Sequence, residues 1–187
     1  PVVTTAVTSM LIEHVASKYS VDVIRTKVGV GNVVRKMEEI DAVVGGEGTG
    51  GVVNPEVHLT SDGMSTAAVV VQMIADRGKD LSEIVRDYPS YHISKKKITV
   101  PTGFQAEELI DELVKRHGDE GELDLTDGMR IVYGNSWVCV RRSGTEPVVR
   151  VYAEAPSQRE AEELAERFVD EIKEMLREVG RGEVLQA

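Results

Sequence analysis

Ala42-Val43-Val44-Gly45-Gly46-Glu47-Gly48-Thr49-Gly50-Gly51 is the stretch on which the reading of the fold turns. Three apolar residues suited to a buried strand run straight into a loop built mostly of glycine. Parallel α/β sheets place ligands in the crevice outside the carboxyl ends of their strands. The residues on the N-terminal side support that context. Val2–Thr5 is β-branched and predicts a strand. Leu11, Ile12, Val15 and Tyr19 keep helical spacing over Ser9–Tyr19, Val21–Ile24 predicts a second strand, and Val33, Val34 and Met37 share one face of a second short helix. Strands separated by helices imply a largely parallel sheet with right-handed crossovers.

On the C-terminal side, residues 46–61 lose all periodicity. A helix resumes at Asp62 through Ala67, Ala68, Val71, Met73 and Ile74 to Gly78, and a short helix covers Leu81–Asp87. Tyr88-Pro89-Ser90 predicts a domain boundary, giving domains 1–90 and 91–187. The second half changes rhythm. A strand at His92–Val100 and a helix at Glu107–His117 precede strands at Arg130–Tyr133, Trp137–Val140 and Val148–Tyr152. Turns this short imply antiparallel pairing. Ser157 and Glu160 spell a capping box. The helix they open carries Ala161, Leu164, Ala165, Phe168, Ile172, Met175, Leu176 and Val179 on one stripe. The expected fold class is therefore α/β with a mostly parallel sheet, followed by an α+β domain with an antiparallel sheet and two helices on one face.

Composition narrows the partners. The 187 residues carry 22 Lys+Arg against 32 Asp+Glu, a net charge of −10, which disfavours a nucleic-acid partner that needs an extended basic face. No apolar run is long enough to span a bilayer, and no charged start followed by an apolar stretch marks a signal peptide, so no membrane partner and a cytoplasmic location are expected. One cysteine, Cys139, excludes an intrachain disulfide framework and a cysteine-built zinc site; its place between Val138 and Val140 predicts a buried, inert thiol. Few amides beside many Glu, Lys and Arg match a thermophile-like composition.

Two segments can carry chemistry. In the first, the glycines let the backbone approach a ligand or adopt positive φ, and Glu47 offers two acceptor oxygens suited to vicinal sugar hydroxyls. The Lys-Ser/Thr pair of a P-loop is missing. The same letters also spell a flexible loop with a solvated Glu. The second segment is Arg141-Arg142-Ser143-Gly144-Thr145-Glu146-Pro147, with Arg150 beyond it. Turn amides there can form an anion-binding nest, and guanidinium groups add bidentate contacts to phosphate. Solvated arginines on a hairpin are the plainer alternative. Among the histidines only His58, in the glycine-rich region, invites a functional reading, and no pair has metal-ligand spacing. Lys95-Lys96-Lys97 reads as a solvated strand edge, and Asp62-Gly63 and Asp127-Gly128 as turn or cap signals.

At these segments the sequence resembles the α-D-phosphohexomutase superfamily, which includes the phosphoglucomutase/phosphomannomutase and phosphoglucosamine mutase families. The matching text is Gly45–Gly50, Asp62-Gly63 opening a helix, Arg141–Pro147, and Arg150-Val151-Tyr152-Ala153-Glu154. Thr26-Lys27-Val28-Gly29 also resembles the family's third-domain loop. The resemblance covers almost the whole chain and implies the third and fourth of four family domains. These are a three-layer α/β domain III bearing the sugar loop and a TATA-binding-protein-like domain IV bearing the phosphate loop.

The resemblance further implies an isomerase that acts as a phosphotransferase. It would move a phosphoryl group between the C1 and C6 oxygens of a mannose, glucose or glucosamine phosphate, through a bisphosphate and a phosphoserine. Glu47 and Thr49 match the sugar loop. Arg141, Ser143, Gly144 and Thr145 match the phosphate loop, with Arg150 in support. No serine loop and no Asp-Gly-Asp loop occur in this sequence, so the catalytic phosphoserine and the Mg²⁺ site are expected to belong to N-terminal domains of the same enzyme. No catalytic or metal residue is assigned here. This chain alone is expected to be inactive. Gly51 and Val30 stand where many relatives have polar residues, which bears on sugar preference. A non-catalytic sugar-phosphate-binding or assembly protein is the alternative, and a homo-oligomer stays open.

Overall fold

A computed structural model describes residues 1–101 and 104–184, and side chains of the last helix through Glu178. The chain divides into two compact units, the first Pro1–Ser90 and the second starting at Tyr91. Among the described residues no helix is long and apolar enough to cross a membrane.

In the first unit, strands β1 (Val2–Thr5), β2 (Val23–Thr26) and β3 (Val44–Gly46) alternate with helices α1 (Leu11–Ser17) and α2 (Val30–Ile40). A two-residue strand β4 (Val52–Val53) and helices α3 (Gly63–Arg77) and α4 (Leu81–Arg86) follow. The sheet order is β2-β1-β3-β4, with β1 parallel to both β2 and β3, and β4 antiparallel to β3. Side chains alternate across a strand, so Val3 and Gly45, paired in register, face one side while Val2 and Val44 face the other. On the first side Val3, Val33, Met37, Ala42 and Val53 form the core beneath α2. Gly45 is glycine because α2 lies so close: an added Cβ would sit 2.8 Å from Val33 Cγ1 and closer still to Met37 Sδ. On the second side α1 and the sheet enclose an apolar cleft of about 550 Å³, lined by Ile12, Val15, Val2, Val44 and Val52 among others.

Helix α3 starts where expected. The Asp62 carboxylate accepts from the Met64 and Ser65 amides at 2.9 and 3.2 Å, and Gly78 closes the helix at φ +58°. None of its residues is buried, however, and Met64, Val69 and Val71 are exposed. The α3 apolar residues therefore add nothing to the buried core of this unit.

In the second unit the sheet order is β5-β9-β8-β7-β6, all neighbours antiparallel. Its strands are β5 (His92–Thr99), β6 (Glu122–Asp124), β7 (Met129–Val132), β8 (Trp137–Arg142) and β9 (Val148–Ala155). Its helices are α5 (Ala106–His117) and α6 (Gln158–Val184). Ile98, Val149, Val151, Val138 and Val140 on one sheet face pack with Leu109 and Leu113 of α5 and Phe168 and Ile172 of α6. Both helices thus cover that face. Val179, expected on the α6 stripe, lies outside the described side chains. Strand β6 escapes a sequence reading because Glu-Leu-Asp has one apolar residue, and its partner β7 alone gives it strand form.

Candidate functional site

The first candidate site lies at the carboxyl ends of β1, β2 and β3. Strand β1 sits between β2 and β3. The helices α1 and α2 lie on opposite faces of the sheet, which makes β1 the switch point, the place where such sheets bind ligands. The glycine stretch is the tip of the β3–β4 hairpin. The Glu47 amide donates to the Gly51 carbonyl at 2.9 Å, and the Gly50 amide to the Glu47 carbonyl at 3.0 Å. Gly50, at φ +96°, occupies the left-handed position that ends a three-residue hairpin loop. The expectation of general glycine freedom is corrected in its detail, because positive φ within this stretch is confined to Gly50. Gly45, Gly46 and Gly51 instead make room for the protein's own atoms, the Ser61 hydroxyl lying 2.6 Å from a Cβ placed on Gly51.

Glu47 is half-buried, and its Oε1 accepts from the Gly29 amide at 3.0 Å. Among the described residues its Oε2 has no hydrogen-bond donor, so one acceptor stays available. Thr49 is exposed at the hairpin tip. Residues not singled out by sequence hold this arrangement. The Gly48 amide donates to Thr8 Oγ1 at 3.2 Å, and the Thr4 hydroxyl donates to the Gly46 carbonyl at 2.9 Å. Arg25 fixes the β1–α1 loop: its Nη1 donates to the Thr5 and Thr8 carbonyls at 2.8 and 2.9 Å. Its Nε and Nη2 clasp Glu13 at 2.8 and 2.9 Å. No sequence signal marks these, because Arg25 sits in a strand and Thr8 in a loop of ordinary letters. His58 is exposed, and its amide donates to the Asn54 carbonyl.

The second candidate site is the β8–β9 connection. The arginines expected on the turn are on the flanking strands: Arg141 and Arg142 end β8, and Arg150 lies within β9. The turn proper is Ser143–Pro147. Ser143 is buried, its amide donates to the Val148 carbonyl at 2.9 Å, and its hydroxyl faces the Thr145 amide at 3.5 Å. Gly144 and Thr145 are exposed.

Arg141 is held from below. Its Nε donates to Asp127 Oδ2 at 2.7 Å, and both side chains are only 13% exposed. Asp127, which reads in sequence as an ordinary turn residue, is thus the anchor of this arginine. Its neighbour Gly128, at φ +83°, lets the β6–β7 turn pass against Arg141, whose Cα would lie 2.9 Å from an added Cβ. The Arg142 guanidinium pairs instead with exposed Glu107 at 2.9 Å. Arg150 donates to Glu146 Oε2 at 2.6 Å, and Lys97 reaches Glu146 Oε1 at 2.7 Å. Lys97 above all, and Arg150 with it, hold the Glu146 carboxyl below the usual carboxylate range. Lys96, in the same basic run, pairs with Glu162 and Glu166 of α6 at 2.9 and 2.7 Å. Cys139 is buried beside Asp127, and burial pushes its thiol up to about 12. Among the described residues, no group of three His, Cys, Asp or Glu side chains converges to hold a metal ion.

Residues 1–91 match the family model of phosphoglucomutase/phosphomannomutase α/β/α domain III, and residues 96–171 match that of the phosphoglucomutase/phosphomannomutase C-terminal domain. The chain belongs to the phosphoglucomutase/phosphomannomutase family. A relative in Thermococcus kodakarensis, named phosphoglucomutase/phosphomannomutase, is 38% identical over 176 residues, covering 94% of this chain and 38% of its own length. A phosphoglucosamine mutase of Methanocaldococcus jannaschii is 36% identical over 178 residues, covering 94% of this chain and 39% of its own. The fold is also that of a solved phosphoglucomutase/phosphomannomutase family protein from Burkholderia thailandensis. That structure aligns with a TM-score of 0.75 at 23% identity, covering 97% of this chain and 38% of that one. The chain therefore spans well under half the length of these relatives. For a phosphoglucomutase/phosphomannomutase family member, Gly51 has a local reason: a side chain there requires Ser61 to move. Val30, at the first turn of α2, packs against the core instead of offering a polar group.

Proposed function

We propose that this chain supplies the sugar- and phosphate-binding half of a phosphohexomutase. Such an enzyme is an intramolecular phosphotransferase shifting a phosphoryl group between the C1 and C6 oxygens of a hexose phosphate through a bisphosphate. Glu47, through its available carboxylate oxygen, and Thr49 take sugar hydroxyls. Arg141, the Ser143–Thr145 turn with Gly144 at its centre, and Arg150 take the phosphate. The first unit then acts as a three-layer domain III and the second as a TATA-binding-protein-like domain IV. The phosphoserine and Mg²⁺ belong to domains outside this sequence. Among the described residues no three His, Cys, Asp or Glu side chains converge as a Mg²⁺ site would require.

The observation that carries this reading is the anchoring of Arg141. Asp127 engages its Nε, and among the described residues no partner takes its Nη1 or Nη2. A guanidinium locked by one edge next to a glycine turn is preorganised for a bidentate anion, and preorganisation lowers the ordering cost of binding. Calorimetric titration with inorganic phosphate and with a hexose 6-phosphate tests it. Arg141→Ala is expected to weaken both by roughly tenfold to a hundredfold, since a charge-assisted hydrogen bond is worth about 1.5–3 kcal/mol. Glu47→Ala is expected to spare inorganic phosphate and weaken only the sugar phosphate. Unchanged affinities in Arg141→Ala would refute the phosphate-turn assignment.

A further inference from the structure

The register of the second sheet sets three cations side by side. Lys97 of β5 pairs with Arg150 of β9, and Arg150 pairs with Arg141 of β8. Directly opposed residues share a face, so the three form one row across three strands, on the face opposite Ile98, Val149 and Val140 of the core. Like charges directly opposed across strands are destabilising. The row exists because carboxylates occupy it, and the two carboxylates differ in kind. Asp127 binds Arg141 within a pair 13% exposed on each side. Glu146 bridges Lys97 and Arg150 from the turn itself, and these side chains are 39%, 52% and 34% exposed. Breaking a buried pair leaves an uncompensated charge, whereas an exposed pair exchanges partners at little cost. Asp127 is thus a fixture and Glu146 a replaceable occupant. Among the described residues the Arg150 Nε is buried without an acceptor, while the Tyr152 side chain engages the same guanidinium beside Glu146.

We propose that Glu146 is an internal stand-in for the ligand's phosphate. Its carboxylate closes a latent anion subsite made of Lys97 and Arg150, and a phosphoryl group opens the subsite by taking those two cations. The inference rests on the reading of the Ser143–Thr145 turn as a phosphate site and adds to it a residue, Lys97, that sequence assigns to a solvated strand edge. Glu146 follows Thr145 directly, so an anion settling on the turn competes with it for the same cations. A phosphate brings more charge and more acceptor oxygens than one carboxylate, and Arg and Lys favour it accordingly.

The test is calorimetric titration of the 187-residue chain with inorganic phosphate at neutral pH. Wild type, Glu146→Gln, Lys97→Ala and the double variant are compared, each checked for an unchanged thermal melt. Glu146→Gln is expected to bind phosphate about two- to fivefold tighter, the worth of one exposed ion pair. That gain is expected to vanish when Lys97 is also alanine. A gain that survives Lys97→Ala would mean that Glu146 only repels the anion, and would overturn the proposal. Unchanged or weaker binding in Glu146→Gln would overturn it as well. Arg141→Ala, run in parallel, reports on the turn reading alone: failure there with Glu146–Lys97 coupling intact would sink the turn assignment and keep the subsite.

Discussion

Replacing Gly45 by alanine adds a single methyl group at the point where α2 meets β3. That methyl would stand 2.8 Å from Val33 Cγ1, 3.1 Å from the Val3 carbonyl oxygen, and closer than either to Met37 Sδ. Met37 can swing its thioether away. Val33 is β-branched and stiff, and the Val3 carbonyl belongs to the sheet ladder, so neither yields cheaply. Overpacking of this kind costs about 1–3 kcal/mol. The core beneath α2 is small, with Val3, Val33, Met37, Ala42 and Val53 as its buried members, so the loss is a large part of what holds the unit. With a urea slope of about 1–3 kcal/mol/M, the first unit's midpoint should fall by roughly 1 M. The chain carries its own internal control. Its single tryptophan, Trp137, is fully buried in the second unit and donates to Glu154 Oε2 at 2.7 Å. Urea titrations of Gly45→Ala should therefore shift the backbone signal of residues 1–90, read by NMR, and leave the Trp137 fluorescence transition in place. An unmoved first-unit transition would refute the packing argument. Equal shifts in both probes would refute the independence of the two cores.

Two further outcomes are expected. Glu120 is held down at about 2, foremost by Arg167 and then by His117 and Tyr133. A carboxylate lowered by folding contributes stability above its unfolded value, and that contribution is lost as pH falls. The second unit should therefore lose stability from about pH 4.5 down through about pH 2, and Glu120→Gln should flatten this slope in urea titrations followed by Trp137. Identical slopes in both chains would show that the contacts at Glu120 do not hold the fold. The purified 187-residue chain should not convert glucose 1-phosphate to glucose 6-phosphate in a coupled assay, because phosphoryl transfer needs a donor that positioning cannot replace. Turnover that tracks the chain through purification would overturn this.

The sequence by itself determined the alternation of strands and helices in the first unit, the antiparallel character of the second, and the two loops that carry donors and acceptors. These follow from local causes: apolar period, β-branching, an Asp62 cap, and glycines or short turns between apolar runs. Only the tertiary structure decided what the same letters do at a distance. Gly45 reads as loop freedom and proves to be a packing contact, because Met37 and Val33 of α2 lie against it from earlier in the chain. Asp127 reads as a turn and proves to anchor Arg141, because β7 and β8 pair in one register and no other. Lys97, Arg150 and Arg141 are scattered in sequence and adjacent across three strands. The apolar residues of α3 mark a helix in sequence, and the structure buries none of them fully: Val70, Met73 and Ile74 are half-buried, and Val69 and Val71 are exposed. A local pattern fixes which face a residue shares with its sequence neighbours; strand register and helix docking alone fix which distant charge or methyl group meets it there.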